Sequence, residues 1–472
     1  MATKCKCGSK TKKCTGKTCK CEAKKPYAFA APIQLLRELK QKADKTSPVF
    51  AVALERDNGY ITRYDLPIPA GMEKKEIVKK LCERIVKFLL WSSGGYKICV
   101  AGPSAICKKI KADYQLGGAR DFDAKFFKKV YRQDLTVKIL PFAKMPKANE
   151  RALKINAKSN GCRLGFDLGA SDFKISAVKN GKVTFSDEFP WDPRNQADPD
   201  YHLGKLDEGL KKAAATLPRV DAIGGSTAGV VIDNYLRSAS LLRAVEEKNA
   251  KRFEEGQSIF YRLQKQWNVP VEVANDGDVT ALCGMLTMGK KGILGVAMGS
   301  SEAAGFINTD GCLTGRLTEL AFAPVDLSDE APADEWSGDT GVGAMYFSQQ
   351  AVNFLACGEG FKFPKTMPLP ERLKVVQQAM ADNDPRALRV YQRIGLNLAH
   401  TVPWYREFYD FNSLMILGRV TTGMGGVIIL ETARMMLKDI YPETAAEVEI
   451  FMPDEKARRL GQSVAAASLP EL

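Results

Sequence analysis

The sequence predicts an α/β protein in which glycine-rich turns follow buried strands. Three observations lead to this fold class. The order hairpin, helix, strand occurs twice, within residues 26–155 and within residues 164–229. Further apolar runs of strand length end at glycine or acidic residues, which is typical of strands that approach a ligand. A composition with 45% hydrophobic and 26% charged residues excludes wholesale disorder.

The chain length allows several domains. The protein has 472 residues, and one domain takes roughly 100–200. The longest apolar stretches are about ten residues long, whereas a membrane span needs roughly 18. The first residues also lack the apolar segment of a secretory signal. The sequence therefore predicts a cytoplasmic protein without a membrane partner.

The charge is distributed unevenly along the chain. The net charge is +14, with +8 in residues 1–25, +11 in residues 26–150 and −5 in the remainder. A basic front half favours a polyanionic partner such as nucleic acid or polyphosphate. The alternative is a lysine-rich surface that serves solubility, because the lysines are not interleaved with aromatic residues that could stack on bases.

The first 25 residues form a tail rich in cysteine and lysine. Its thiols are Cys5, Cys7, Cys14, Cys19 and Cys21. Four thiolates suffice for a tetrahedral zinc site, but the spacing matches no common zinc finger and is only loosely similar to a metallothionein cluster. The tail therefore either binds Zn²⁺ or is a disordered segment with oxidisable thiols.

Residues 26–155 predict a smaller, basic α/β domain. A helix over residues 32–43 precedes a hairpin whose turn is Asp57-Asn58-Gly59, a strong hairpin signal. A helix over residues 73–90 and a strand over residues 96–103 follow. The expected apolar faces of the two helices comprise Ile33, Leu36 and Leu39 in the first, and Ile77, Leu81, Ile85 and Phe88 in the second. Because the element order recurs later, this domain is either a degenerate copy of the later lobe or a separate instance of a common α/β pattern.

The first motif with chemical potential runs from Asp167 through Gly169 to Ser171, at the end of an apolar strand. Small residues in such a turn let backbone N–H groups approach phosphate oxygens. Asp167 can hold Mg²⁺, directly or through water. The alternative is an ordinary hairpin with a structural aspartate.

The second motif is Asn275-Asp276, where a strand ends and a helix begins. A carboxylate at a helix N-terminus remains ionised and fixed. That suits a group that accepts the proton of a hydroxyl nucleophile. The alternative is that Asp276 or Asp278 only caps the helix.

Two further glycine turns follow. Gly299-Ser300-Ser301 comes after a buried strand and is a second candidate phosphate cradle. Gly418 lies between a strand and a helix expected over residues 427–438, an arrangement that suits the flank of a nucleoside.

In this order and spacing, the motifs resemble the ROK family of sugar kinases and sugar-responsive repressors, over about residues 160–472. The resemblance implies a two-lobed actin/hexokinase-like fold, related to that of ribonuclease H, with ATP, Mg²⁺ and a sugar as ligands. Relatives in the family are often homodimers. The chain is then divided into the tail (1–25), the basic α/β domain (26–155) and the kinase domain (160–472).

The resemblance also assigns roles to single residues. Asp276 becomes the general base, and Asn275 and Glu319 bind the sugar. The phosphate and nucleotide site comprises Asp167, Gly169, Ser171, Lys174, Gly299, Ser300, Ser301 and Gly418. The expected edge of the cleft adds Ser226, Asp233 and Asn234 as sugar contacts, with a turn role as the alternative for the last two.

The chain departs from the family pattern in three places. Phe322 stands where the family has a sugar-contacting histidine. The family's zinc site is replaced by residues 335–346, so we expect no structural zinc there. Glu302 adds a carboxylate beside the second phosphate turn, which is unfavourable for a polyanion unless a cation intervenes.

Three functions remain on this basis. The motifs favour an ATP-dependent hexose kinase, and some relatives without the zinc site use polyphosphate, so the donor is open. A regulator that binds a sugar and nucleic acid is the second function, although residues 26–155 show no helix-turn-helix pattern. A pseudo-kinase is the third, since Phe322 and Glu302 alter the site.

Overall fold

The computed structural model describes residues 28–155, 160–169, 171–453 and 461–471. The five cysteines predicted to bind zinc lie outside these ranges. Within them the chain forms sheets of four, five and six strands and one two-stranded ribbon. None of the described helices is both long enough and apolar enough to cross a membrane.

The front part, residues 28–155, is built on the four-stranded sheet in the order β2-β1-β3-β4. Asn58 and Gly59 adopt φ of 61° and 70° in the turn between β1 and β2, so the predicted hairpin is confirmed. The elements are α1 (Pro32–Lys42), β1 (Val49–Glu55), β2 (Ile61–Pro67), α2 (Glu76–Ser93), β3 (Lys97–Ala101), α3 (Ser104–Asp113), α4 (Asp121–Tyr131), β4 (Thr136–Ile139) and β5 (Leu153–Lys154).

The first lobe is a five-stranded sheet in the order β12-β9-β6-β7-β8. Its elements are β6 (Cys162–Leu168), β7 (Asp172–Lys179), β8 (Lys182–Pro190), α5 (Pro199–Ala214), β9 (Ala222–Thr227), the ribbon β10 (Val230–Ile232) and β11 (Tyr235–Ser238), α6 (Arg243–Lys248), α7 (Phe253–Gln257), α8 (Ile259–Trp267) and β12 (Val271–Asn275).

The second lobe is a six-stranded sheet in the order β17-β16-β13-β14-β15-β5. Its elements are α9 (Asp276–Met288), β13 (Ile293–Met298), β14 (Glu302–Ile307), β15 (Cys312–Leu313), α10 (Gln349–Gly358), α11 (Leu369–Ala381), α12 (Pro385–Arg406), β16 (Ser413–Leu417), α13 (Met424–Ile440), α14 (Pro442–Glu447), β17 (Glu449–Phe451) and α15 (Gln462–Ala466).

The two lobes repeat one topology. In the first, β6 pairs antiparallel with β7 and parallel with β9. In the second, β13 pairs antiparallel with β14 and parallel with β16. The two-lobed α/β arrangement predicted for residues 160–472 is therefore confirmed.

The front sheet does not reproduce this topology. β3 runs antiparallel to β1, whereas the corresponding strand of each lobe runs parallel to the first one. The predicted order of hairpin, helix and strand is present, but the strand direction contradicts a degenerate copy of the lobe. Periodicity reports which residues are strands and carries no information on their direction.

Helix α2 is buried on nearly all sides, contrary to the expectation of one apolar face. It lies between the front sheet and the second lobe, and the ring of Phe88 stacks on that of Phe408 with centroids 4.3 Å apart. Ile77, expected in the core, is 41% exposed because it lies at the start of the helix. Residues of the front part and of the second lobe share one continuous hydrophobic core.

Cations of the front part pair with acids of the lobes, which accounts for much of the uneven charge. These ion pairs are Arg37–Glu443, Lys40–Glu407, Lys80–Asp329, Arg84–Asp339, Lys87–Asp339, Arg120–Asp339, Lys129–Glu246 and Arg132–Glu254. Opposite charges in the two halves of the sequence therefore serve, at least in part, to join the two halves of the molecule.

Candidate functional site

The predicted site residues of the first lobe lie where β6, β9 and β12 end. These strands are neighbours and parallel, so their carboxyl ends meet at one edge of the sheet. Asp167 on β6 stands opposite Ser226 on β9, and Asn275 on β12 stands opposite Thr227. The strand order thus brings together residues that are more than a hundred positions apart in the sequence.

Asn275 caps helix α9. Its Oδ1 accepts a hydrogen bond from the Gly277 N–H at 2.8 Å, and its Nδ2 donates to the Gly229 carbonyl at 2.8 Å. The alternative that Asp276 or Asp278 is merely the cap is therefore wrong. The Gly277 N–H is shared between the two side chains, because it also donates to the Asp276 carboxylate at 2.9 Å, so Asp276 is only partly engaged.

Asp276 lies in an acidic environment. Burial raises its pKa to about 6, with a further contribution from the negative charge of Asp167. Burial also raises the pKa of Asp167, while the Ser226 hydroxyl and Lys174 lower it in part. The negative charge of Asp167 therefore acts on Asp276, and the two carboxyl groups are unfavourable to ionise together.

Close packing of α9 on β14 sets the position of Asp276. A Cβ at Gly277 would clash with the Ala304 carbonyl, and a Cβ at Gly305 would clash with the Gly277 backbone. Both positions therefore require glycine. Asp278, the third residue of the helix, completes the junction because its Oδ1 accepts the Phe306 N–H at 2.9 Å.

Two more carboxyl groups belong to this acidic cluster. Burial raises the pKa of Glu319 to about 7, and the charges of Asp276 and Asp278 raise it further. Burial raises the pKa of Glu302 to about 8, and its side chain, 3% exposed, accepts the Tyr405 hydroxyl at 3.2 Å. Glu302 thus points into the second lobe and is largely protonated at neutral pH, which removes the repulsion expected for the second phosphate turn.

The backbone of the first turn is held by hydrogen bonds within the first lobe. The Gly169 N–H donates to the Asp172 carbonyl at 3.0 Å, and the Trp191 indole donates to the Gly169 carbonyl at 3.0 Å. Ser171 is exposed and donates to Asp172 at 2.9 Å. Lys174 stands opposite Asp167 in the hairpin and pairs with Glu188 at 3.8 Å.

The second turn and Gly418 meet at the ends of β13 and β16. The Gly299 N–H donates to the Ser301 carbonyl at 3.0 Å, while Ser300 is exposed and Ser301 partly exposed. Gly418 adopts φ of 102° and lies so close to Met298 that a Cβ would approach the Met298 carbonyl to 2.6 Å. The fold therefore joins these predicted nucleotide residues into one surface.

The predicted sugar contacts at the cleft edge have other partners. The side-chain amide of Asn234 binds β12 through both of its polar atoms: Nδ2 donates to the Val271 carbonyl and Oδ1 accepts the Val273 N–H, each at 2.8 Å. Asp233 accepts Asn58 at 2.7 Å and Arg151 at 3.3 Å. The turn role is thus observed for both residues, whose φ values of 48° and 59° are left-handed. Ser226 is fully buried beside Asp167.

A cavity beside Asn275 and Asp278 adds residues that the sequence did not single out. Its lining includes Tyr131 from the front part, Arg151 and Glu272. Arg151 pairs with Glu272 at 3.6 Å. Glu272 could have been noticed as an acid within the strand that ends at Asn275, but nothing in the sequence near Tyr131 points to the cleft.

The metal chemistry of the site is limited by its ligands. Within the described ranges, no three His, Cys, Asp or Glu side chains are grouped to hold a metal ion. Mg²⁺ usually needs only one or two carboxylates, with water and phosphate oxygens as its other ligands. Asp167, a largely buried carboxyl group whose charge acts on Asp276, fits that role.

Solved proteins resemble this chain in fold. A ROK hexokinase from Thermus thermophilus is 16% identical with a TM-score of 0.50, over 65% of this chain and 97% of the hexokinase. A ROK family protein from Streptococcus pneumoniae in complex with sucrose is 15% identical with a TM-score of 0.49, over 65% and 96%. A ROK family transcriptional regulator, a homolog of the E. coli MLC protein, is 17% identical with a TM-score of 0.49, over 66% and 79%. No family model and no curated protein sequence matches the chain.

The likeness to the Thermus hexokinase shows the fold of the lobes. The chain has the two-lobed actin/hexokinase-like fold of ROK proteins, as the sequence predicts. The front part precedes this fold and packs against its second lobe.

Proposed function

We propose that this protein is a ROK-type sugar kinase that transfers a phosphoryl group from ATP–Mg²⁺ to a hydroxyl of a hexose or hexose derivative. The observation that carries the proposal is the position of Asp276. It follows the helix cap Asn275, repels Asp167 at the first glycine turn, and repels Glu319. Asp276 adjoins Asn275, which lines the polar cavity, and the charge of Asp167 at the first turn acts on it. A carboxylate with these two neighbours suits base-assisted phosphoryl transfer.

Asp276 accepts the proton of the attacking hydroxyl. Its pKa of about 6 leaves it ionised at neutral pH and makes it a stronger base than an exposed aspartate. Its backbone is fixed by the packing of α9 on β14, so the carboxylate is aimed before the substrate arrives.

Asn275 and Glu319 orient the sugar. The Asn275 side chain lines the cavity and Glu319 lies near Asp276. Polar groups in a partly buried site reject analogues that lack the matching hydroxyls, which favours a polyol substrate. Ser226, Asp233 and Asn234 support the walls of this site through the contacts described above.

The donor phosphates bind the two glycine turns. Exposed Ser171 and Ser300 supply hydroxyl donors to phosphate oxygens, and Gly169 and Gly299 carry no side chain that would block the approach of a phosphate. Asp167 would hold Mg²⁺, which supplies charge neutralisation of the donor phosphates, and Lys174 lies on the neighbouring strand. Gly418 leaves room for a nucleoside beside β13.

The test is a substrate panel assayed with two donors. Purified protein is incubated with hexoses and N-acetylhexosamines, once with ATP–Mg²⁺ and once with polyphosphate–Mg²⁺, and sugar phosphate is measured directly by ³¹P NMR. The proposal expects turnover of at least one sugar with ATP. Turnover with polyphosphate but not with ATP would mean that polyphosphate is the donor. A folded protein that turns over no combination of sugar and donor would contradict the kinase function.

A further inference from the structure

A short segment before Glu319 is bound to the end of helix α2. The N–H groups of Leu317, Thr318 and Glu319 donate to the carbonyls of Ser93, Ser92 and Trp91, at 3.3, 2.9 and 3.0 Å. The last carbonyls of a helix have no partner within the helix. The front part therefore offers its unpaired helix end, and the segment that carries Glu319 occupies it.

Thr318 is held in an unfavourable conformation within this segment. Its φ is 51°, in the left-handed region that a β-branched residue rarely enters. The side chain is buried, with 3% exposure. Strain of this kind persists only where the surroundings over-determine the backbone, and it is common beside functional groups.

The segment after Glu319 is also attached to the front part. The ring of Phe322 packs on that of Trp91 with centroids 4.6 Å apart. The backbone then pairs with the region after Asp339, through bonds from Val325 to Gly341 at 2.8 Å and from Gly343 to Ala323 at 3.0 Å. Glu319 is thus fixed on both sides of its position in the chain.

Asp339 anchors this second attachment. Its carboxylate is 8% exposed and pairs with Arg84 at 2.6 Å, with Lys87 at 2.8 Å and with Arg120 at 2.9 Å. Arg84 and Lys87 belong to α2, the same helix whose end binds Thr318. One helix therefore holds the Glu319 segment by backbone, ring and charge.

The attachment counteracts an electrostatic repulsion that acts on Glu319. Its carboxyl lies near Asp276 and Asp278, and the three groups repel one another. A flexible segment would turn Glu319 away from this repulsion. Holding it in place needs contacts outside the cleft, and α2 supplies them.

We propose that helix α2 of the front part positions Glu319 in the sugar site, with Phe322 and Asp339 as positioning residues that do not touch the substrate. This inference rests on the proposed kinase function and adds to it a role for residues 28–155. The front part is then a component of the active site, not a separate binding module.

The test compares steady-state kinetics of Phe322→Leu and Asp339→Asn with the wild type. The positioning role predicts that the KM for the sugar rises roughly tenfold, since small displacements of an orienting group cost such factors, while the KM for ATP stays within twofold. Asp339→Asn leaves three cations partly unpaired and could prevent folding, whereas Phe322→Leu keeps an apolar side chain and carries the test alone in that case.

The matched control is Phe451→Leu. It makes the same substitution for a buried residue of β17, the edge strand of the second-lobe sheet, so it loosens the core without changing α2 or the Glu319 segment. We expect a lower thermal midpoint and an unchanged sugar KM. A sugar KM that rises equally in Phe451→Leu would reduce the effect to general destabilisation and overturn the inference.

A double-mutant cycle with Glu319→Gln separates the remaining outcomes. If Phe322 acts through Glu319, Phe322→Leu changes the sugar KM much less in the Glu319→Gln background. Additive effects would overturn the positioning role while the kinase function stands. Absence of turnover in the wild type would instead contradict the proposed function itself, so the two failures are distinguishable.

Discussion

The chemistry of the cleft depends on how carboxyl groups share a confined space. Asp167, Asp276, Asp278, Glu319 and Glu302 form a chain in which the negative charge of one raises the pKa of another. Such groups cannot all be ionised at neutral pH without a cation. The cluster therefore favours cation binding at Asp167 and proton acceptance at Asp276. Glu302, at the other end of the cluster, is favoured in its protonated form.

The pH dependence of turnover follows from Asp276. Its pKa of about 6 means that the base is protonated below that pH and ionised above it. We expect kcat/KM for the sugar to rise as the pH increases from 5 to 7 and then to level off. Initial rates across this range measure it, and a rate that stays flat from pH 5 to 8 would argue against a carboxylate base.

The pH dependence of stability is expected to reflect Glu302. Because its pKa is about 8 in the folded protein, against an ordinary value of 4.5, the folded state retains the proton that the unfolded chain releases. Stability should therefore fall as the pH rises between these values, by at most about 1.4 kcal/mol per pH unit. The substitution Glu302→Gln should remove this loss of stability at high pH.

Thermal unfolding at pH 5 and pH 9 checks this expectation. The thermal midpoint of Glu302→Gln should match that of the wild type at pH 5 and exceed it by several degrees at pH 9. Exposed Glu330 provides the control, since Glu330→Gln should change neither value. Equal midpoints for Glu302→Gln and wild type at pH 9 would mean that Glu302 ionises normally.

At the residue scale, the sequence predicted the position of Asp276 but not the residues that surround it. The motif Asn275-Asp276 was recognisable because a strand meets a helix there. The burial of Glu302 and the left-handed Thr318 were not, since both depend on contacts with Tyr405 and α2 that lie far away in the chain. Charge repulsion at the second phosphate turn was predicted from sequence adjacency and is absent for the same reason.

At the scale of elements, the junction of α9 and β14 sets the geometry of the site. Gly305→Ala places a methyl group against the Gly277 backbone. We expect a loss of about 1–3 kcal/mol in stability from this overpacking and reduced turnover, because the helix that carries Asp276 must shift. Gly204→Ala in α5 is the control, since its Cβ meets nothing within 4 Å.

The control Gly204→Ala should change the stability in the opposite direction. Gly204 lies inside a helix, where alanine is favoured by roughly 0.5–1 kcal/mol. Thermal unfolding and sugar turnover of both variants are compared with the wild type. A Gly305→Ala variant with wild-type stability and rate would show that α9 does not depend on this contact.

Elements were predictable where local pattern and burial agree. The hairpins at β1–β2 and β6–β7 and the strand–helix junction at Asn275 follow from turn residues and apolar alternation. The antiparallel direction of β3 and the all-round burial of α2 could not be read from the sequence. Both result from how the front part packs on the second lobe.

At the scale of the whole molecule, the front part and the second lobe behave as one body in their packing. Their buried residues form one core, and strand β5 completes the sheet of the second lobe. The uneven charge predicted an external polyanion, yet many front-part cations are neutralised by acids of the lobes. The net charge of a segment does not reveal whether its partner is another molecule or another part of the same chain.

This packing predicts that the lobes need the front part in order to fold. A chain that begins at residue 156 exposes the rings of Trp404, Phe408 and their neighbours on α12, which α2 covers in the full protein. We expect it to aggregate, while the full chain unfolds the front part and the second lobe in one cooperative transition. A monomeric, cooperatively folded truncated chain in size-exclusion chromatography and calorimetry would contradict the shared core.

The central claim is that Asp276 is the base of a phosphoryl transfer. The most direct measurement is the single-turnover rate of sugar phosphate formation by Asp276→Asn, with Asp221→Asn, an aspartate just before β9 that bonds the Cys162 N–H, as the control. The account predicts a fall of at least about 10² in the Asp276 variant and none in the control, with both proteins folded. An unchanged rate in Asp276→Asn would remove Asp276 from the chemistry.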